Sequence, residues 1–85
     1  MTDPSDYRLP CYLTSAVEAE RRRQLRIWGD QQHPLARWVV ILAEELGEVA
    51  LATLEEKTED ARLELLQLAA VAIAAVESID APHRQ

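Results

Sequence analysis

The sequence predicts an all-α fold: a three-helix chain whose second and third helices form an antiparallel hairpin, completed into an oligomeric helical bundle. Three observations predict it. From Leu35 to about Glu55 the apolar residues at 35, 38, 39, 42, 46, 49 and 50 recur at i, i+3/i+4 and i+7, the period of one helix face. From Leu65 to Val76 the chain is apolar on nearly every side, with alanine at 69, 70, 72, 74 and 75, so a helix there needs cover all round. Three helices of this size cannot supply that cover alone, hence the expected partner subunits. No strand pattern, internal repeat or low-complexity tract interrupts this reading.

The elements follow in order. Residues 1–13, with Pro4 and Pro10, show no period and read as an extended N-terminal arm, with Tyr7, Cys11 and Tyr12 available to pin it to the body. A single all-α domain is expected over residues 14–80, followed by a C-terminal tail, 81–85. Thr14 or Ser15 can cap a first helix running from Ala16 to Trp28, where Gly29 stops it. Its apolar residues Val17, Leu25 and Trp28 are sparse, so it should be mostly solvated with one narrow packed face. After the loop GDQQHP, Pro34 suits the first turn of the second helix. Within that helix Gly47 costs about 1 kcal/mol against alanine, which predicts a close neighbour. A turn around Glu56 to Thr58 leads to a third helix, with Thr58 as N-cap and Glu59 and Asp60 where the helix dipole favours negative charge. Pro82 ends it near Ile79.

Composition narrows the class. A chain of 85 residues forms a thin core, and domains of this size commonly add disulfides, a metal or a partner subunit. Cys11 is the only cysteine, which excludes an internal disulfide and suits a reducing, cytoplasmic setting. The opening MTDPSDYRLP has no apolar core of a signal peptide, and the longest apolar stretch, Leu68 to Val76, is far below the ~20 residues of a membrane span. Net charge is −6, which argues against nucleic acid as a partner. That charge is polarised: the segment from Trp38 to Glu64 carries the whole excess, whereas Arg21, Arg22, Arg23 and Arg26 form a basic patch before it.

The acids of the second helix are unusually placed. Glu44–Glu48 and Glu45–Glu48 are like-charged neighbours on one helix face, each pair costing about 0.2–0.5 kcal/mol. No lysine or arginine relieves them, since the positions three and four residues from Glu45 are Ile41, Leu42, Glu48 and Val49. Glu45 therefore borders the packed stripe, where an unpartnered carboxylate is costly. In an antiparallel hairpin turning at residue 56, Glu45 lies level with Gln67 and Glu48 with Glu64. If both pairs face inward, three carboxylates and one amide converge between helices about 8–10 Å apart. Two such charges 5 Å apart repel by about 3 kcal/mol at an effective dielectric near 20. A cation resolves the repulsion, and all-oxygen ligands with open positions suit Mg²⁺ or Mn²⁺.

These residues resemble a known family. The pattern Trp28-x-x-x-x-His33-Pro34, then Glu44-Glu45-x-x-Glu48, fifteen residues, and Glu64-x-x-Gln67 is similar to the EExxE…ExxD signature of the MazG-like all-α nucleoside triphosphate pyrophosphohydrolases. The likeness covers roughly residues 18–80. It implies an oligomeric helical bundle, dimer or tetramer, that hydrolyses (d)NTPs to the monophosphate and pyrophosphate with Mg²⁺. It also implies metal ligation by Glu45, Glu48 and Glu64, with Glu44 orienting or deprotonating the water. One position departs from the signature, because Gln67 stands where the family has aspartate.

Phosphoryl transfer needs charge neutralisation and positioning more than covalent help. Arg22, Arg23 and Arg26 are candidate cations for the substrate phosphates; pairing with Glu18, Glu20 or surface acids is the competing reading. For the base, Trp28 and Trp38 offer stacking faces and Gln32 and His33 edge hydrogen bonds, with Trp38 on the apolar stripe and Trp28 beside the loop. Two other readings stay open from sequence: a catalytically weakened nucleotide-binding relative, and a purely structural helical dimerisation module.

Overall fold

The computed structural model describes residues 3–83, with the His83 side chain outside the description. Three helices are present: α1 (Cys11–Trp28), α2 (Leu35–Leu54) and α3 (Thr58–Asp80). Short 3-10 turns precede and follow them at Pro4–Asp6 and Ala81–His83, and the described residues contain no strand.

The ends of the helices show which local forces prevail. α1 begins at Cys11, earlier than a Thr14 or Ser15 cap predicts, because the Pro10 carbonyl already accepts the amides of Leu13 and Thr14. Thr14 then lies in the first turn, and its hydroxyl donates back to the Pro10 carbonyl at 3.4 Å. Gly29 ends α1 as expected, at φ +72°, a backbone conformation that glycine adopts without strain. Its amide closes the helix on the Leu25 carbonyl. Pro34 is the N-cap of α2, just outside it, and Lys57 rather than Thr58 is the N-cap of α3. The chain leaves α2 through Glu56 at φ +59°, the left-handed region, while the Lys57 amide donates to the Ala52 carbonyl. A non-glycine residue there costs about 1–2 kcal/mol, so the turn is held by what it joins. Glu59 and Asp60 occupy the first turn of α3, as the dipole argument predicts.

α3 is the central element. It packs closely against α2 and, over a shorter stretch, against α1, whereas α1 and α2 do not pack on each other. The core forms where α2 meets α3: Trp38, only 2% exposed, lies on Val71 and Ala75, with Ile41, Leu42 and Ala74 around them. Alanines at 52 and 70 are buried too, where small side chains let the helices approach. Beyond this seam much apolar surface faces outward, including Leu46, Leu51, Leu63, Ile73 and Val76, with Leu54 82% exposed. The radius of gyration, 14.7 Å, exceeds the ~12 Å of a compact chain of this length.

Two expectations need correction. A Cβ built on Gly47 meets nothing within 4 Å, so no neighbour among the described residues explains that glycine. Tyr7 and Tyr12 are each 65% exposed and Cys11 is exposed, so none of the three pins the arm to the core. No helix among the described residues is long and apolar enough to cross a membrane.

Candidate metal centre and its cavities

Helical periodicity puts Glu45 and Glu48 on one face of α2, and that face meets Glu64 of α3. One carboxylate oxygen from each of the three lies within 4.8 Å of the others. Glu45 and Glu64 are half-buried and Glu48 is exposed. Both half-buried groups keep one oxygen away from solvent with no hydrogen-bond partner among the described residues. Such an orphaned acceptor is costly, and two beside a third carboxylate are costlier still. Burial pushes the Glu45 carboxyl above its ordinary range, with repulsion from Glu48 and then Glu20 adding to it against the pull of Arg23. The Glu64 carboxyl is likewise raised, by burial first and then by Glu48. The donor set, hard oxygens lacking partners, fits a hard divalent cation.

Gln67 belongs to a neighbouring part of the site. Its backbone carbonyl accepts from the Gln24 amide at 3.4 Å, and it lines an open cavity of about 280 Å³ together with Glu48, Glu64 and Lys57.

A second cavity, about 350 Å³, fills the space left between α1 and α2 above α3. That is within the size range of small-ligand pockets. α2 supplies Trp38, Ile41, Glu44 and Glu45; α1 supplies Arg21, Gln24, Leu25 and Trp28; α3 supplies Val71, Ala74 and Glu77. Gly29, Asp30 and Gln31 close it from the loop. Glu44 and Glu45 are adjacent in sequence, so Glu45 joins the carboxylate cluster while Glu44 lines the cavity beside it.

The remaining predicted residues divide clearly. Trp28 lines the cavity and is 52% exposed, with the Arg23 guanidinium 5.9 Å from its ring centroid. Trp38 contributes to the cavity wall from within the core. Arg23 is engaged by Glu20 at 2.6 Å, and Arg22 reaches Glu18 at 3.9 Å on the surface. Arg26 is exposed and forms no ion pair among the described residues. Gln32 and His33 do not line the cavity. The Ser78 hydroxyl accepts the His33 amide at 3.2 Å and donates to Gln32 Oε1 at 3.4 Å, while the His33 ring meets Trp38 edge-on. Both residues therefore fasten the loop to α3, outside the lining of the cavity.

Arg21, Gln24 and Glu77 line the cavity although sequence reasoning did not select them. Glu20, whose carboxylate accepts from Arg23 and Gln24, is a fourth acid close enough to raise Glu45. A signal was present: residues 21, 24, 25 and 28 share the i, i+3/i+4, i+7 spacing of one helix face. No protein-family model, curated protein or solved structure matches the chain.

Proposed function

We propose that the protein is a Mg²⁺-dependent nucleoside triphosphate pyrophosphohydrolase that cleaves a (d)NTP to the monophosphate and pyrophosphate. One observation carries this reading: Glu45, Glu48 and Glu64 converge from two helices with two buried, unpartnered oxygens, beside a ligand-sized cavity. Glu45, Glu48 and Glu64 would hold the ion, with the Gln67 amide oxygen nearby. Bound there, Mg²⁺ would supply charge neutralisation for the triphosphate.

The chain's own residues do the rest. Trp28 stacks on the base, Glu44 orients a water and takes its proton, and Arg22 and Arg26, which do not line this cavity, offer positive charge to the phosphates in a neighbouring subunit's site. Arg23 contributes less, being paired with Glu20. The water oxygen bonds to the α-phosphorus as the bond from that phosphorus to the bridging oxygen breaks, and pyrophosphate leaves.

The same reading includes an antiparallel α2–α3 hairpin in a homo-oligomer, dimer or tetramer, acting in the cytoplasm. Contacts of Trp38 with Val71 and Ala75, and of Glu45 and Glu48 with Glu64, support opposite helix directions. The exposed leucines and the large radius of gyration support subunit association.

The test is pyrophosphate release from a panel of dNTPs with Mg²⁺, compared with Glu48→Ala. Release by the natural chain and its loss in the variant are expected; no release and no nucleotide-dependent change in melting would leave a structural dimerisation module. A second reading, binding without turnover, is favoured by Gln67, which brings no charge beside Glu48 and Glu64 in the smaller cavity. A large rise in release on Gln67→Asp would support it.

A further inference from the structure

Arg21 and Glu77 join α1 to α3 on the wall of the larger cavity, and their hydrogen bonds are unevenly distributed. Nε and Nη2 of Arg21 both donate to the same oxygen, Glu77 Oε1, at 3.2 and 2.9 Å. Nη1 donates to Gln24 Oε1 at 3.4 Å. The guanidinium, with its side chain 17% exposed, is thus largely satisfied, whereas among the described residues the only Glu77 oxygen engaged is Oε1. Asp30 places a further carboxylate on the same cavity. At this edge the groups left for a ligand are carboxylate acceptors, while deeper in the cavity the buried Nε1 of Trp38, without a partner among the described residues, is a donor.

Position gives this edge a role. Glu77 lies thirteen residues beyond Glu64 on α3, about 20 Å along the helix axis. Thirteen residues turn the helix through about 220°, so Glu64 and Glu77 lie on different faces of α3, and the cluster member that shares the larger cavity with Glu77 is Glu45. That shared cavity would take a nucleotide with its phosphates toward Glu45 and its base toward Arg21 and Glu77, flanked by Trp28.

We propose that Arg21 and Glu77 form the base-reading edge of the cavity and select nucleotides whose base carries an exocyclic amino group over those bearing uracil or thymine. The proposal rests on the nucleotide reading of this site. Cytosine, adenine and guanine each offer an amino N–H to the unengaged Glu77 oxygen. Uracil and thymine offer a single ring N–H flanked by two carbonyl oxygens, which set acceptor against acceptor. The Arg21 pairing holds the Glu77 carboxylate in place; Glu77 remains half-exposed, so water tempers the discrimination to about tenfold.

The experiment measures kcat/KM for dATP, dGTP, dCTP, dUTP and dTTP with Mg²⁺, alongside quenching of tryptophan fluorescence by the same nucleotides. The natural chain is expected to favour the amino-bearing bases about tenfold, and Glu77→Gln, which can present an amide N–H, to bring the ratio near parity. The exchanged pair Arg21→Glu/Glu77→Arg keeps an ion pair between α1 and α3, so restored folding without restored preference separates base reading from a structural tie. An unchanged profile in Glu77→Gln, or a natural preference for dUTP and dTTP, overturns the proposal. Selective quenching without turnover supports base reading and sinks only the hydrolase reading; turnover without selectivity sinks only base reading. No response to any nucleotide sinks both.

Discussion

The hydroxyl of Ser78, buried on α3, accepts the backbone amide of His33 and so ties the α1–α2 loop to the end of α3. The same hydroxyl donates to Gln32 Oε1. Ser78→Ala removes both bonds and leaves a partly buried amide without its acceptor, a loss of about 1–2 kcal/mol. Urea unfolding should show a lower midpoint with an unchanged m-value. An unaltered midpoint would mean that the loop is held by the His33–Trp38 contact alone.

The raised carboxyls give a pH dependence of definite sign. Both Glu45 and Glu64 are shifted upward from an ordinary value of 4.5, so between that value and the folded ones the folded state binds more protons than the unfolded state. In chelator, melting temperature should therefore fall as pH rises from about 4.5 through the folded values toward neutrality. Glu64→Gln should flatten this slope, and Mg²⁺ should oppose it at neutral pH. A natural chain and Glu64→Gln with the same pH profile would remove the basis for calling the cluster strained.

The two tryptophans should separate stability from binding. Trp38→Ala empties the seam between α2 and α3, and a buried aromatic lost this way costs about 3–5 kcal/mol, enough to unfold a domain this small. Trp28 is half-exposed, so Trp28→Ala should alter the melting temperature little while weakening nucleotide binding by about tenfold, from loss of stacking. Circular dichroism and nucleotide titration read the two effects; equal destabilisation by both changes would contradict the assignment.

Gly47 offers a further check. With open space around its Cβ position, Gly47→Ala should stabilise α2 by up to about 1 kcal/mol through helix propensity alone. Destabilisation, or a change of oligomeric state by light scattering, would reveal a neighbouring subunit against this face.

Much of this arrangement was legible beforehand because it follows from periodicity and one short connection. The apolar stripe from Leu35 set α2, which the structure bounds at Leu54, and the turn near Glu56 fixed the height at which Glu45 and Glu48 meet Glu64. The first helix was less legible. Its apolar residues are few, and although Leu25 and Trp28 share one face with Arg21, the arginine that lines the cavity, nothing in the sequence marks that face as a cavity wall over the faces of Arg22 and Arg26. Nor do Gln32 and His33 announce that Ser78, far along the chain, will bond to the Gln32 side-chain oxygen and the His33 backbone amide. Long-range pairing of this kind has no local signature.

The connection Glu55–Lys57 has an evolutionary implication. One additional residue there would advance α3 by about 100° about its axis and bring Leu63 to the place now held by Glu64. Along the seam, Ala70 and Ala74 would replace Val71 and Ala75, apolar for apolar, and the helices would still associate. Length drift at this junction would thus keep the seam apolar while erasing the chemistry and setting Glu77 in the buried place of Ser78, so sequences differing by a single insertion here should lose competence and stability together.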